Sequence, residues 1–136
     1  MIPNICLDAG VITLYYQKDP PDAILALMDT VKQKTATTFV PAEILVEAFK
    51  HLCVSNGKDY ATRAIQSFYQ TMPIDVVVPS LEIILQAGQL KCQHRSKLSY
   101  NDCVAIAIAQ QERATLHTTE KEFPPLKGLK VKTYEF

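Results

Sequence analysis

The chain has 136 residues, 48% apolar and 21% charged, which fits one domain spanning 1–136 and excludes a disordered polypeptide. Its 14 basic and 14 acidic residues cancel, so a histone-like polycation is excluded; nucleic acid would have to meet a local basic patch or a metal. No apolar run approaches ~18 residues, the opening "MIPNICLDAG" lacks a basic n-region, and the four cysteines contain no C-x-x-C. The expectation is therefore a cytoplasmic protein with reduced thiols and no membrane span.

The apolar run "IPNICL", ending at Asp8, reads as a first strand. "AILALMDTVKQ" has helical spacing at Ile24, Leu25, Leu27, Met28 and Val31. "TTFV" is a short β-branched and aromatic strand closed by Pro41, which suits the first turn of a following helix. That helix carries Ile44, Leu45, Ala48, Phe49 and Leu52 on one face and stops near "SNG" at 55–57. "DYATRAIQSFYQ" is a further helix, "IDVVVP" a strand, and "SLEIILQAGQL" a helix with Ser80 as N-cap. A helix starting at Ser99 contains seven apolar residues from Cys103 to Ala109. "ATLHT" is a strand at 115–118, and "KVKTYEF" a terminal strand of alternating polarity. Strands alternating with helices predict an α/β fold with a mostly parallel central sheet.

Several chemistries lack their motifs. No G-x-G-x-x-G follows the first strand, "NGKDY" is not a phosphate-binding loop, and neither G-x-S-x-G nor H-E-x-x-H occurs. His51, His94 and His117 are isolated and read as surface or structural histidines.

The carboxylates form the more specific pattern. In open α/β sheets chemistry gathers at the carboxyl ends of strands. Asp8 closes the first strand and Glu120 follows "ATLHT". Glu43 and Glu47 share a face of the helix that opens at Pro41, and Asp102 lies in the first turn of its own helix. Clustered carboxylates repel each other unless a cation neutralises them, and hard oxygen ligands suit Mg²⁺ or Mn²⁺. Such a metal activates water and stabilises a phosphoryl transition state, so phosphodiester hydrolysis suits the arrangement. Structural alternatives stand beside this. Ser99 to Asp102 reads as a capping box, Glu43 complements a helix dipole, and Asp8 can begin a turn. Thr119 to Glu122 reads as another capping box, which makes Glu122 structural.

In order and spacing the chain resembles the PIN-domain ribonucleases, and in size and layout the VapC-type toxins of toxin–antitoxin pairs. "ICLDAGVITLYY" is similar to the family's opening segment, with Asp8 as its first acid. "VPAEILVEAFKHL" resembles the second motif, a proline followed six residues later by the catalytic glutamate, which selects Glu47 over Glu43. "KLSYNDCVAIAIAQ" resembles the third, with Asp102 on its acid. "ATLHTTEKEFPPL" resembles the closing motif through Thr118, Glu120 and Phe123. The chain departs from the pattern at Glu120, where the family usually has Asp, and at Gly10, where a small hydrogen-bonding residue is common.

The resemblance implies a three-layer α/β/α PIN-like fold and a Mg²⁺- or Mn²⁺-dependent endoribonuclease, commonly a homodimer, with a cognate antitoxin as partner. Asp8, Glu47, Asp102 and Glu120 would bind metal, and Thr118 would steady a neighbouring acid. Lys91, Arg95 and Lys97 are the candidate contacts to single-stranded RNA, although Lys91 and Arg95 equally suit the C-terminal dipole of the preceding helix. The alternative is a catalytically weak RNA- or protein-binding module on the same fold, favoured by Glu120. A phosphoacceptor signalling domain ranks last, because "TTFVPAEI" lacks an Asp ending a middle strand.

Overall fold

A computed structural model describes residues 2–135. Strand β1 (Asn4–Leu7) leads into helices α1 (Ala9–Tyr15) and α2 (Asp22–Lys32), then β2 (Thr37–Pro41). Helices α3 (Ala42–Asn56) and α4 (Lys58–Thr71) precede β3 (Asp75–Val77). Helices α5 (Leu81–Gln93) and α6 (Tyr100–Gln111) precede β4 (Thr115–Thr118), and β5 (Lys130–Thr133) closes the sheet. Phe136, the last residue of the terminal strand read from sequence, lies outside the described residues.

The five strands lie in the order β3-β2-β1-β4-β5, and every pairing is parallel. Right-handed crossovers from β1 through β2 to β3 place α1–α4 on one face; the return through β4 places α5 and α6 on the other. The helix packing agrees. Helix α1 touches α2 and α3, α3 touches α4, and α5 touches α6. The result is the three-layer α/β/α arrangement expected from sequence. The winding reverses between β1 and β4, and such a switch point opens a crevice at the carboxyl ends of the strands.

Helix α6 crosses β1, β2 and β4. Its residues Cys103 and Ala105 to Ala109 are all buried, which explains an apolar run with no polar face. The alternating alanines keep it close to the sheet, where the Cys6 thiol reaches the Ala105 carbonyl. A smaller cluster of Leu52, Ala61 and Ala64 joins α3 to α4. Gly57, at φ +92°, makes the turn between those two helices in a backbone conformation that favours glycine.

Two local expectations fail. The segment after Asp8 is helical: α1 was not expected, because "VITLYY" is β-branched and aromatic and the helix has only seven residues. Asp8 is its N-cap. The capping box expected at Thr119 to Glu122 is absent, since the chain from 119 to 129 forms no helix. Two consecutive prolines, Pro124 and Pro125, follow directly, and the residue before a proline is driven away from helical geometry.

Candidate active site

Asp8 leaves β1 at the switch point and is only 5% exposed. Its backbone N–H donates to the His117 carbonyl at 2.9 Å, which extends the β1–β4 pairing by one rung. One carboxylate oxygen, Oδ1, accepts from the Ala9 N–H at 2.8 Å. The other, Oδ2, accepts from the Thr118 hydroxyl at 2.7 Å. Thr118 is fully buried at the end of β4, and its Oγ1 in turn accepts from the Glu120 N–H at 3.0 Å. One threonine thus fixes Asp8 and the start of the segment bearing Glu120.

Glu47 lies on the second turn of α3, where its Oε1 accepts from Asn101 Nδ2 at 2.7 Å. Asn101 is in the first turn of α6, so this bond ties two of the acid-bearing helices together. Asp102, next along, completes a capping box: Ser99 N–H donates to Asp102 Oδ2 at 3.0 Å, and Asp102 N–H donates to Ser99 Oγ at 3.0 Å. Its side chain is half-buried rather than buried, so the helix end and partial solvation together offset the cost of its charge.

The electrostatics connect these residues. Burial pushes the Asp8 carboxyl up to about 6; the bonds from Thr118 and Ala9 oppose that rise, and the charges of Asp102 and Glu47 add to it. Glu120, an exposed residue, is also raised, first by partial desolvation of its carboxyl and then by Asp102, Glu47 and Glu122. All four acids therefore lie in one negative field. Neither of the two ion pairs among the described residues, Glu47–His51 and Lys121–Glu135, brings a Lys or Arg to them.

In chemistry the donor set fits a hard divalent cation: four mutually repelling carboxylates, none of them paired with a Lys or Arg among the described residues. The geometry is looser. Among the described residues no group of three His, Cys, Asp or Glu converges to direct ligation distance. A cation bound through one or two carboxylates with several retained waters, the habit of Mg²⁺, suits this spacing.

Glu43 stands apart from the four acids. It lines a separate, mostly apolar groove with Pro79, Ile84, Tyr100 and Cys103, and its Oε1 is buried without a partner. Lys91 is engaged at the end of α5, donating to the carbonyls of Arg95 at 2.9 Å and Leu98 at 2.7 Å. Arg95 and Lys97 are exposed, and Lys97 borders a cleft with Glu120, Glu122 and Phe123.

Sequence reasoning missed Asn101, whose only signal was being polar beside Asp102 in a first helical turn. It also set aside His51, although its place four residues after Glu47 was visible. Gly10 proves to be a packing requirement. A Cβ there would stand 2.0 Å from Thr119 Oγ1 and 3.0 Å from Thr119 Cβ, so only glycine lets α1 approach the segment that leads to Glu120.

Residues 5–129 match the family model described as the PIN domain. No curated protein matches the chain closely enough to count as a relative. Among solved structures, the fold is similar to VapBC2 from Rickettsia felis bound to a DNA fragment from its promoter, with TM-score 0.77 and 20% identity over 97% of this chain and 99% of that one. It is also similar to VapBC-1 from nontypeable Haemophilus influenzae, with TM-score 0.71 and 21% identity over 96% and 97%. VapC20 of Mycobacterium tuberculosis, a sarcin–ricin loop cleaving toxin, gives TM-score 0.70 and 13% identity over 87% and 89%. At these identities the likeness is one of fold.

Proposed function

The chain belongs to the PIN-domain family, and from that premise we propose that it is a metal-dependent endoribonuclease that hydrolyses single-stranded RNA, as the toxin of a toxin–antitoxin pair. One observation carries this reading: an aspartate at the switch point, held by Thr118, whose carboxyl is pushed up first by its burial and then further by the charges of Asp102 and Glu47. A group with that energy cost calls for a cation. When bound, Mg²⁺ or Mn²⁺ supplies charge neutralisation at the phosphodiester and lowers the pKa of a water.

The chain's own residues do the rest. Thr118 orients the Asp8 carboxylate, and Asn101 orients Glu47. Asp102 keeps one oxygen on its helix end and leaves the other for the cleft. Glu120 completes the negative field, and its position follows the Thr118 hydroxyl through its own N–H. Exposed Arg95 and Lys97 supply phosphate contacts outside the cleft, offsetting the repulsion of RNA by the acids. The exposed apolar side chains Val78, Leu81, Ile84 and Leu85, from the end of β3 and the start of α5, support a homodimer. The fold neighbours that are VapBC complexes support an antitoxin partner.

The test is RNA cleavage by the purified chain with added Mg²⁺ or Mn²⁺. Activity should vanish in EDTA and fall by orders of magnitude in Asp8→Asn or Asp102→Asn with the fold retained. Equal cleavage by parent and both variants would overturn the site. A second reading, a weakly catalytic RNA- or protein-binding module, draws support from Glu120 standing where the family usually has Asp and from the lack, among the described residues, of a closed three-ligand group. It would be favoured if the parent binds RNA but does not cleave it at any metal concentration.

A further inference from the structure

Glu47 and His51 lie four residues apart on one face of α3, and each has one of its two polar atoms already committed. Glu47 Oε1 is held by Asn101. His51 Nδ1 lies 3.3 Å from the Thr13 hydroxyl. That hydroxyl donates its proton to the Ala9 carbonyl at 2.9 Å, so toward His51 it can only accept. Nδ1 therefore carries a ring proton, and a lone pair for a cation can come only from Nε2.

The two uncommitted atoms, Glu47 Oε2 and His51 Nε2, face each other across 3.9 Å. That gap is too long for a hydrogen bond. Two ligands each about 2.1 Å from one tetrahedral cation stand about 3.4 Å apart, so a side-chain adjustment of about half an ångström closes the gap onto a single ion. Fixing the second ring nitrogen of a histidine by an outer hydrogen bond is how proteins orient imidazole toward a metal. Access is open, since the His51 and Glu47 side chains are 35% and 33% exposed. Glu47 belongs to the negative field that already acts on Asp8 and Glu120, which draws cations to this point.

We propose that Glu47 and His51 form a mixed nitrogen–oxygen cation subsite that takes a borderline transition dication of the Zn²⁺, Co²⁺ or Ni²⁺ class in preference to Mg²⁺. Imidazole suits those ions, whereas Mg²⁺ prefers oxygen donors. The remaining positions are filled by water. Because Glu47 also belongs to the acid cluster, an ion held here competes with a hard cation for that carboxylate. The inference rests on Glu47 being a cation ligand, but not on RNA cleavage.

The experiment is a Zn²⁺ titration of the full chain, without RNA, followed through the ring ¹⁵N signals of its three histidines. The His51 Nε2 signal should move to a metal-coordinated position on Zn²⁺ addition while Nδ1 keeps its proton, and Mg²⁺, even when held by the acids, should not produce that coordination shift. Thr13→Val, which removes the acceptor that fixes the ring, should weaken Zn²⁺ binding at His51 by about 10-fold or more. His51→Gln should abolish the signal and the binding; if it fails to fold, His94→Gln in the parent leaves only His51 and His117, and His117 is buried with its Nδ1 paired to Tyr134. An unmoved His51 ring, or shifts confined to His94 and the thiols, overturns the proposal. Zn²⁺ at His51 in a chain that cleaves no RNA would support the subsite while removing the nuclease reading, so the two failures are distinguishable.

Discussion

His117 and Thr118 are neighbours on β4, both buried, and each bonds one titratable or polar partner from another part of the chain. His117 Nδ1 pairs with the Tyr134 hydroxyl at 2.7 Å, and burial pulls its pKa down to about 4, with Lys132 adding to the effect. Thr118 pairs with Asp8, which burial pushes up to about 6. In both places the protein interior disfavours a charge. The difference lies in the surroundings. The histidine is content as a neutral ring beside a phenol. The aspartate faces Glu47 and Asp102, and no Lys or Arg is paired with any of these acids. A buried group settled by its own neighbours reads as structure; one left in a field of like charges reads as a place for something the chain does not itself supply.

The sharpest way to break this comparison is to neutralise each member in turn. Asp8→Asn should abolish RNA cleavage, by about 10³-fold or more if the carboxylate holds the catalytic cation. His117→Gln should leave cleavage within a few-fold of the parent. Parental activity in the first variant, or collapse of activity without unfolding in the second, would mean that the roles are misassigned.

Stability against pH gives the next largest effect, measured by chemical denaturation in EDTA. Between about pH 4 and 6.5 the unfolded chain binds a proton at His117 that the folded chain refuses, so this residue loses stability on acidification. Asp8 works oppositely: from about pH 6 down to 4 the folded chain binds the proton first, so acidification gains stability there. Each effect amounts to about 3 kcal/mol at most, and they largely cancel in the parent. Asp8→Asn should therefore expose a steep acid loss, and His117→Gln an acid gain. Parallel pH profiles for the two variants would refute the opposite signs.

Gly10→Ala sharpens the comparison from the packing side. The added methyl would overlap Thr119, and overpacking of this kind costs about 1–3 kcal/mol. Thermal melting should report that loss, and cleavage should fall as well because the Thr119–Glu120 segment shifts. A variant with a lower melting temperature but unaltered activity would free Glu120 from any catalytic role.

The smallest differences separate Glu47 from Glu43. Glu47→Gln should reduce cleavage far more than Glu43→Gln, since only Glu47 is bonded to Asn101 and felt by Asp8 and Glu120. Saturating-metal kinetics decide it, and a larger loss from Glu43→Gln would put the wrong turn of α3 in the cleft. Outside the acids, replacing Arg95 and Lys97 together should flatten the salt dependence of RNA binding, by roughly 0.7 per lost phosphate contact. An unaltered slope would place the RNA on another surface.

Much of this architecture was legible along the chain. The strands, five of the six helices and the Ser99–Asp102 capping box follow from local patterns, because periodicity and capping act over a few residues. Helix α1 was hidden for the same reason: its residues have strand-forming side chains, and it is the Asp8 cap and contact with α2 and α3 that make it helical. Which partner serves which acid was out of reach of local pattern; the family resemblance implied only that Thr118 steadies some neighbouring acid. Thr118 meets Asp8 across 110 positions and Asn101 meets Glu47 across 54, and no local rule pairs residues at such separations. Acids at strand ends and helix starts were evident from residue type alone. That they share one field, and that Glu43 instead lines a separate groove, was decided only when the crossovers brought β1, β4, α3 and α6 to one end of the sheet, because Coulomb interactions and hydrogen bonds depend on distance in space and not along the chain.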